Sequence, residues 1–277
     1  MRRLTASLLQ LLIVWLACIT ALPAWAIDYV GGQVGSTAGI TSALDVTFNF
    51  TGGLASTPAA GDLVLASWCV GGTADKTLII SNTGGTAYTT VGSEQFQNDD
   101  RDPNMLTALR VMPGTPETQV RLSESPTGGT GSTADGGAYY ITAWRNVHAT
   151  PLDVAAVQNA GASTLLVNPG AITPVTAGAY IVASGCGAAS LGGTYTSGGD
   201  LTDFRTANGD DGTDGIIGGG YTAWAGGEFN AGVWSGPTDN VSFAYVATVL
   251  ALQPAAAAAT TVQSNCGALM LLGVQGC

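Results

Sequence analysis

Residues Gly61–Cys69 read Gly-Asp-Leu-Val-Leu-Ala-Ser-Trp-Cys, and this short apolar run sets the class of the fold. A run of this length that follows turn residues is typical of a buried β-strand rather than of a helix. Just before it, apolar residues alternate with polar ones along 44–50, and this period of two predicts a strand with one apolar face. Both patterns indicate β-structure.

The rest of the chain after residue 27 repeats this pattern and shows no long amphipathic helix. Short apolar runs are separated by Gly, Asn, Asp, Pro and Thr, which predicts an all-β fold, an antiparallel β-sandwich. Further strands are predicted at Leu63–Cys69, Thr77–Ile80, Met105–Met112, Gln119–Leu122, Tyr139–Trp144, Leu165–Val167, Tyr180–Ser184 and Val241–Leu252. Trp68 and Trp144 lie within these runs and are expected in the core.

A second stretch, Gly178–Cys186, resembles the first: Gly-Ala-Tyr-Ile-Val-Ala-Ser-Gly-Cys shares its Gly, its Ala-Ser pair and its final Cys. The similarity predicts two pseudo-repeated halves that build one sandwich. The alternative is coincidence in a sequence rich in Gly, Ala and Thr. If the repeat is real, Cys69 and Cys186 occupy equivalent points of equivalent strands.

The first residues have the pattern of a secretory signal peptide. Arg2 and Arg3 precede the apolar run Leu8–Leu22, and Ala24-Trp25-Ala26 is an A-x-A cleavage site. An uncleaved anchor is the alternative, but the run is short for a membrane span. We therefore expect a secreted protein, extracellular or on the surface of a bacterium, whose only contact with a membrane is through the transient signal.

The remaining boundaries follow from composition. Residues 1–26 are the signal, 27–41 a Gly-rich lead-in, 42–253 the sandwich domain, and 254–277 an Ala-rich linker with a Cys-flanked apolar tail. Export permits disulfides. We expect Cys69 to pair with Cys186 and Cys266 with Cys277, and free buried thiols are the alternative.

Charge excludes some partners. The chain has a net charge of −11 and a single lysine, Lys76. A chain this acidic is a poor ligand for nucleic acid or for an anionic membrane.

The order of several segments resembles a loose family of β-sandwich proteins. The family occurs among phage tail and virion-associated proteins and among secreted bacterial surface proteins. The segments are Ala43–Phe50, Ala60–Ala66, Ile141–Val147, Thr150–Asp153, Ala177–Ala183 and Val249–Pro254. The resemblance implies a jelly-roll-like sandwich with a structural or surface-binding role. The signal peptide, the paired cysteines and the tail depart from the pattern and favour an exported cellular protein over a virion component.

Two acidic loops are candidate calcium sites, Asn98–Asn104 and Asn208–Gly215. In the second, Asn208, Asp210, Asp211 and Asp214 offer closely spaced oxygens between glycines, and oxygens are the ligands that calcium prefers. The alternative is ordinary turn chemistry, which uses the same residues. Calcium is the only cofactor that the sequence suggests.

Aromatic residues cluster between 221 and 234. If Tyr221, Trp224, Phe229 and Trp234 were exposed on loops, their rings would stack on sugars. The alternative is that Trp224 and Trp234 fill the core.

Catalytic residues are not evident. The single histidine, His148, lacks the G-x-S-x-G nucleophile that a hydrolase would need. Glu228 and the carboxylates at 203–214 could be assembled into a glycosidase or lyase pair, but no spacing selects them. We therefore expect a non-enzymatic surface structural or adhesion protein that binds itself, as a homo-oligomer or filament. A carbohydrate-binding module, with an extracellular glycan as partner, and a phage tail or virion decoration protein are the alternatives.

Overall fold

The structure, a computed structural model, describes residues 26–37, 43–71, 76–95, 103–125, 136–161, 166–188, 193–209, 215–236 and 244–256. All strands lie in one compact unit, Trp25–Ala255. The chain's other unit, Met1–Ala24 with Ala256–Cys277, falls outside the described residues apart from Ala256.

The described residues form strands and no helix, which confirms the predicted all-β class. The first group of strands is β1 (Asp28–Thr37), β2 (Ala43–Thr47), β3 (Leu63–Val70), β4 (Thr77–Ser81), β5 (Thr89–Gln95), β6 (Asn104–Val111), β7 (Gln119–Ser125), β8 (Gly137–Arg145) and β9 (Val147–Leu152). The second group is β10 (Val157–Gly161), β11 (Leu166–Val167), β12 (Ala171–Ile172), β13 (Tyr180–Ala188), β14 (Thr202–Asn208), β15 (Gly215–Ala223), β16 (Phe229–Asn230), β17 (Trp234–Ser235) and β18 (Tyr245–Pro254). In the part of the chain that is described, membrane-crossing helices are therefore not found.

Two large antiparallel sheets face each other at the centre. The first has the order β1-β8-β3-β6-β5, and the second has the order β10-β18-β13-β15-β14, with β9 also paired to β18. The small sheet β2-β7-β4 covers the outer face of the first sheet, and the short pairs β11-β17 and β12-β16 cover the second. The described strands thus form four β layers with three apolar cores between them.

Burial on both faces explains the apolar central strands. Every residue of β3 is buried, because its even-numbered side chains enter the core under the small sheet and its odd-numbered ones enter the core between the large sheets. Trp68 enters the former core and Trp144 the latter, and both have a relative exposure of 0%, as predicted. Because the outer layers cover the large sheets, the run at Leu63–Cys69 reads as continuously apolar rather than alternating.

The two large sheets share one topology. When the five strands of each path are numbered by their order along the chain, both sheets have the same spatial order, first, fifth, second, fourth, third. The outer layers correspond as well, because β2 pairs with β7 in the first half while β12 pairs with β16 in the second. The repeat noticed in the sequence is therefore a repeat of structure.

Equivalent residues meet where β3 faces β13. Cys69 and Cys186 form a disulfide with a Cα–Cα distance of 5.5 Å, as predicted. Two residues earlier on each strand, the Ser67 hydroxyl donates to Ser184 Oγ at 3.0 Å. Contacts between a residue and its own equivalent are those of a two-fold interface. The halves thus pack like the subunits of a dimer within one chain.

The nested pairing of strands in the first half, β1 with β8, β2 with β7 and β3 with β6, is compatible with a rolled-up hairpin. The jelly-roll-like description stays a prediction.

One boundary needs correction. Residues 27–41 were expected to be a lead-in before the domain, but Asp28–Thr37 forms β1 and pairs along β8. The prediction was wrong because it took the glycines as a sign of a segment outside the sheet. These glycines instead make room within the sheet for aromatic side chains, since that of Tyr29 lies over Gly32 and that of Tyr139 over Gly35. The predicted signal and tail lie outside the described residues.

Candidate functional site

The two ends of the central sandwich are built from equivalent strands but differ in their side chains. At one end β1 of the first sheet lies against β14 of the second, and at the other β5 lies against β10. The first end is closed by a polar network, and the second is open as a groove.

Arg205 closes the first end. Its guanidinium donates to Asp203 Oδ2 from Nε at 2.9 Å and from NH2 at 2.7 Å. It also donates to the Gly32 carbonyl at 2.7 Å and to the hydroxyl and carbonyl oxygens of Thr51, each at 2.8 Å. The guanidinium thus makes five hydrogen bonds to four acceptor atoms, and five is the full donor capacity of an arginine. The side chain joins β14 of one half to β1 and the loop that follows β2 in the other.

The same carboxylate holds Tyr29. The Tyr29 hydroxyl donates to Asp203 Oδ2 at 2.6 Å. Burial, then the neighbouring Tyr140 and the hydrogen bond to Asp203, raise the pKa of Tyr29, so its phenol stays protonated as a donor. Its ring packs against Tyr221 and Trp144, with centroids 4.3 and 5.0 Å away. This end is therefore filled by aromatic rings and by the hydrogen-bonded side chains of Arg205, Asp203 and Tyr29.

The open end carries a groove of about 570 Å³ between β5 and β9. Threonine, valine and leucine of β5 and β6 form one wall, and small apolar residues after His148 form the other. The lining residues are Thr89, Thr90, Val91, Leu109, Ala149, Thr150, Pro151, Leu152, Ala155 and Ala156. A second depression of about 350 Å³ shares Thr89, Leu109, Ala149 and Pro151 with the groove.

Charged and aromatic side chains at the rim of this second depression contact one another. Arg110 Nε lies 2.7 Å from Glu117 Oε1, and the Tyr88 hydroxyl donates to Glu117 Oε2 at 3.0 Å. Burial and the nearby Glu117 carboxylate raise the pKa of Tyr88, so it too stays a donor. Arg110 also lies over the Tyr88 ring, 5.7 Å from its centroid. The rim therefore positions Tyr88 and Arg110, and the groove beside it is apolar.

The repeat identifies a residue that differs between the filled end and the open end. Strands β5 and β14 bulge at the same place, between Thr90 and Gly92 and between Thr202 and Arg205. The equivalent residues Ser67 and Ser184 pair with Thr107 and Gly219 on the neighbouring strands. Thr107 pairs in turn with Gly92, and Gly219 pairs with Arg205, so Gly92 is the equivalent of Arg205. Where Arg205 spans the two sheets, Gly92 has no side chain, and Thr248 packs against it. The two ends thus differ in the side chain at this position of the edge strand, next to the groove residues Thr90 and Val91.

The predicted sugar-binding aromatics do not form one surface. Trp234 has a relative exposure of 0%, packs edge-on against Phe204 and donates from Nε1 to the Ala231 carbonyl at 3.1 Å. It therefore belongs to the core, in agreement with the alternative to exposure on a loop. Tyr221 belongs to the aromatic cluster around Tyr29 in the core between the large sheets, whereas Trp224 and Phe229 are half-buried in the core beneath the outer layer.

The predicted calcium ligands are mostly undescribed. Asp210, Asp211 and Asp214 lie outside the described residues, and Asn208 ends β14. Of the first loop, Asn104 is described, and its side chain accepts the backbone N–H of Lys76 at 3.0 Å. Among the described residues no group of three His, Cys, Asp or Glu side chains is placed to hold a metal ion. Cys266 and Cys277 are likewise outside the described residues.

Catalytic partners are not assembled in the described part of the chain. His148 Nδ1 is bonded locally, to the Thr150 hydroxyl at 2.7 Å and to the Thr150 backbone N–H at 3.1 Å. Asp203 is held by Tyr29 and Arg205, and Glu228 is exposed on the turn after β15. The arrangement that remains is a groove able to bind an apolar, extended ligand.

Sequence reasoning missed both ends of the sandwich. The signal for β5 was present in Tyr88-Thr89-Thr90-Val91, a run of strand-forming residues, but it is short and ends at Gly92. The only signal for Arg205 in the sequence is its positive charge, which few residues of the chain carry.

Comparison of the chain with family models, with curated proteins and with solved structures finds no match. The functional argument therefore rests on the molecule itself.

Proposed function

We propose that this protein is an exported, non-enzymatic structural protein of the bacterial surface that assembles with copies of itself. The observation that carries the proposal is the double sandwich, with one end closed by a polar network and the other end open and apolar. An exposed apolar groove is typical of an interaction site. A groove at one end of the described sandwich that differs from the pseudo-symmetric end gives each copy a direction.

The internal cross-link supports export and a mechanical role. Both cysteines of the disulfide have a relative exposure of 0% and link the two central sheets. Disulfides of this kind form and persist in oxidising compartments outside the cytosol. Four layers joined through their centre give a rigid block, which suits a building unit of a surface structure.

The burial of the single lysine also supports this proposal. Lys76 is buried, with its Nζ 3.6 Å from Glu124 Oε1. The surface is thus without lysine amines, and the chain is acidic overall. An acidic surface keeps single copies soluble until a specific contact joins them.

Electron microscopy of the natively exported protein, with its intact mass, tests the proposal. We expect filaments or ordered arrays, and a mass that reports signal removal and the disulfide. Particles that stay single and monodisperse in such material would overturn it.

A further inference from the structure

We propose that the groove between β5 and β9 binds the apolar segment Gly267–Val274 of a second copy's C-terminal tail. This inference rests on the proposed self-assembly and names the surfaces that carry it. The occupant is argued from the lining of the groove, the sequence of the tail and the place where the described chain ends.

The groove suits an extended apolar segment. Its walls are formed by Val91, Leu109, Pro151 and small residues, and no charged residue lines it. Strand β5 ends its sheet, because β6 is its one strand partner among the described residues. An end strand offers backbone hydrogen bonds to an added strand, while an adjacent groove takes alternate side chains.

The tail has the matching composition. Residues 267–274 read Gly-Ala-Leu-Met-Leu-Leu-Gly-Val, and no charged residue occurs from Gln253 to Cys277. Eight residues in extended conformation span about 26 Å, the length of a strand. Cysteines in a disulfide have Cα atoms within about 7 Å of each other, so this extended form requires Cys266 and Cys277 to be free thiols instead of the expected pair. The segment carries an apolar surface that the groove can bury, and it brings no charge that the groove would have to desolvate.

The described end of the chain favours a second copy over the same copy as the source. Leu252 of β18 pairs with Leu152 of β9, and Pro254, two residues later on β18, pairs with Val147. The Ala255 N–H then donates to the Asn146 carbonyl at 2.7 Å. The described chain therefore runs from the groove wall towards Asn146 and ends beyond it. Residues 257–266 span up to about 33 Å when extended, enough to reach a neighbour, whereas to fill the groove of their own copy they would have to reverse direction beyond Asn146.

A donated tail has a consequence for assembly. Each copy would give a tail and receive one, so the contact joins two different surfaces. Such heterologous contacts form rings when the rotation closes and filaments when it does not.

A photo-crosslinking residue at position 149, in full-length exported protein, tests the source of the occupant. Ala149 is exposed and lines the groove, so the substitution leaves the cores intact. Equal amounts of ¹⁵N-labelled and unlabelled copies are assembled, irradiated and digested. We expect cross-links to peptides of residues 267–274 that join a light to a heavy copy. Cross-links within single copies, cross-links to other peptides or an intact mass that lacks the tail would overturn the inference.

Two variants separate this inference from the proposed function. Ala149→Arg fills the groove, and a stop after Ala259 removes the segment, so we expect each to abolish assembly. Ala225→Arg is the matched control, because Ala225 is exposed on the turn after β15 and away from the groove. If the full chain assembles but Ala149→Arg or the truncated chain assembles equally well, the tail–groove contact is wrong and self-assembly stands. If the full chain never assembles, the proposed function itself fails.

Discussion

Arg205 shows how a single residue closes one end of the sandwich. A charged group that has left bulk water stabilises the fold only when its hydrogen-bond partners are in place. The Arg205 guanidinium makes five hydrogen bonds, and its side chain is 16% exposed. Asp203, which holds it, has a positive φ of 49°, a conformation that Asp tolerates better than most residues. The bulge in β14 thus aims both side chains at β1.

We predict that Arg205→Ala lowers the free energy of unfolding by about 3 kcal/mol, because it leaves Asp203 and the Gly32 and Thr51 oxygens without these donors. Denaturant titration followed by tryptophan fluorescence measures the change. Arg121→Ala is the matched control, because Arg121 makes a similar two-bond contact to Asp45 on the exposed face. We expect a much smaller loss there. Equal losses in the two variants would show that Arg205 is an ordinary surface arginine.

At the scale of elements, Asp153 fixes the segment that follows β9. This segment forms part of the groove wall through Ala155 and Ala156. Its Oδ2 accepts the backbone N–H groups of Val175 and Thr176, in the loop between β12 and β13. Burial acts to raise the pKa of Asp153, but the hydrogen bonds from Thr176 and Val175 outweigh it and hold the pKa below its ordinary value of 3.8. The ionised carboxylate is therefore the form that the fold binds.

The lowered pKa of Asp153 determines how the stability of the fold changes with pH. A carboxyl group with a lowered pKa in the folded state contributes stability that is fully present above about pH 4 and is lost as the pH falls through the folded pKa. We predict that Asp153→Asn destabilises the protein at pH 7 and that the difference from the parent shrinks towards pH 3. Urea titrations at the two pH values measure it. A difference that stays constant with pH would contradict the assignment.

Long elements could be predicted from the sequence and short or glycine-rich ones could not. Leu63–Cys69 and Tyr180–Ser184 were predicted because strands buried on both faces read as continuous apolar runs. Strand β15, Gly215–Ala223, was missed because three consecutive glycines stand where aromatic rings pack. Gly219 lies under the ring of Tyr140, and such a long-range contact leaves no local pattern.

The candidate site was missed for a related reason. The two ends differ because Gly92 stands where the other half has Arg205, and this comparison needs the strand registers of both halves. The aromatic cluster at 221–234 was visible in the sequence, but its rings are divided between two different cores. The spacing of residues along a strand does not reveal which layer covers each face.

At the scale of the whole molecule, the disulfide joins two halves that each form a two-layer unit. The cysteines are 117 residues apart in sequence, so the bond restricts a large part of the unfolded chain. We predict that Cys69→Ala with Cys186→Ala lowers the free energy of unfolding by about 3–5 kcal/mol. Denaturant titration of the variant and parent measures it, and indistinguishable midpoints would contradict the prediction. As a control, reductant without denaturant should leave the parent oxidised, because both sulfurs are buried.

Self-assembly through the open end is the central claim, and sedimentation velocity of the full exported chain over a range of concentrations tests it most directly. The account predicts that larger species grow with concentration and that Ala149→Arg leaves only the monomer. A single monomeric species of the unmodified chain at every concentration would contradict it.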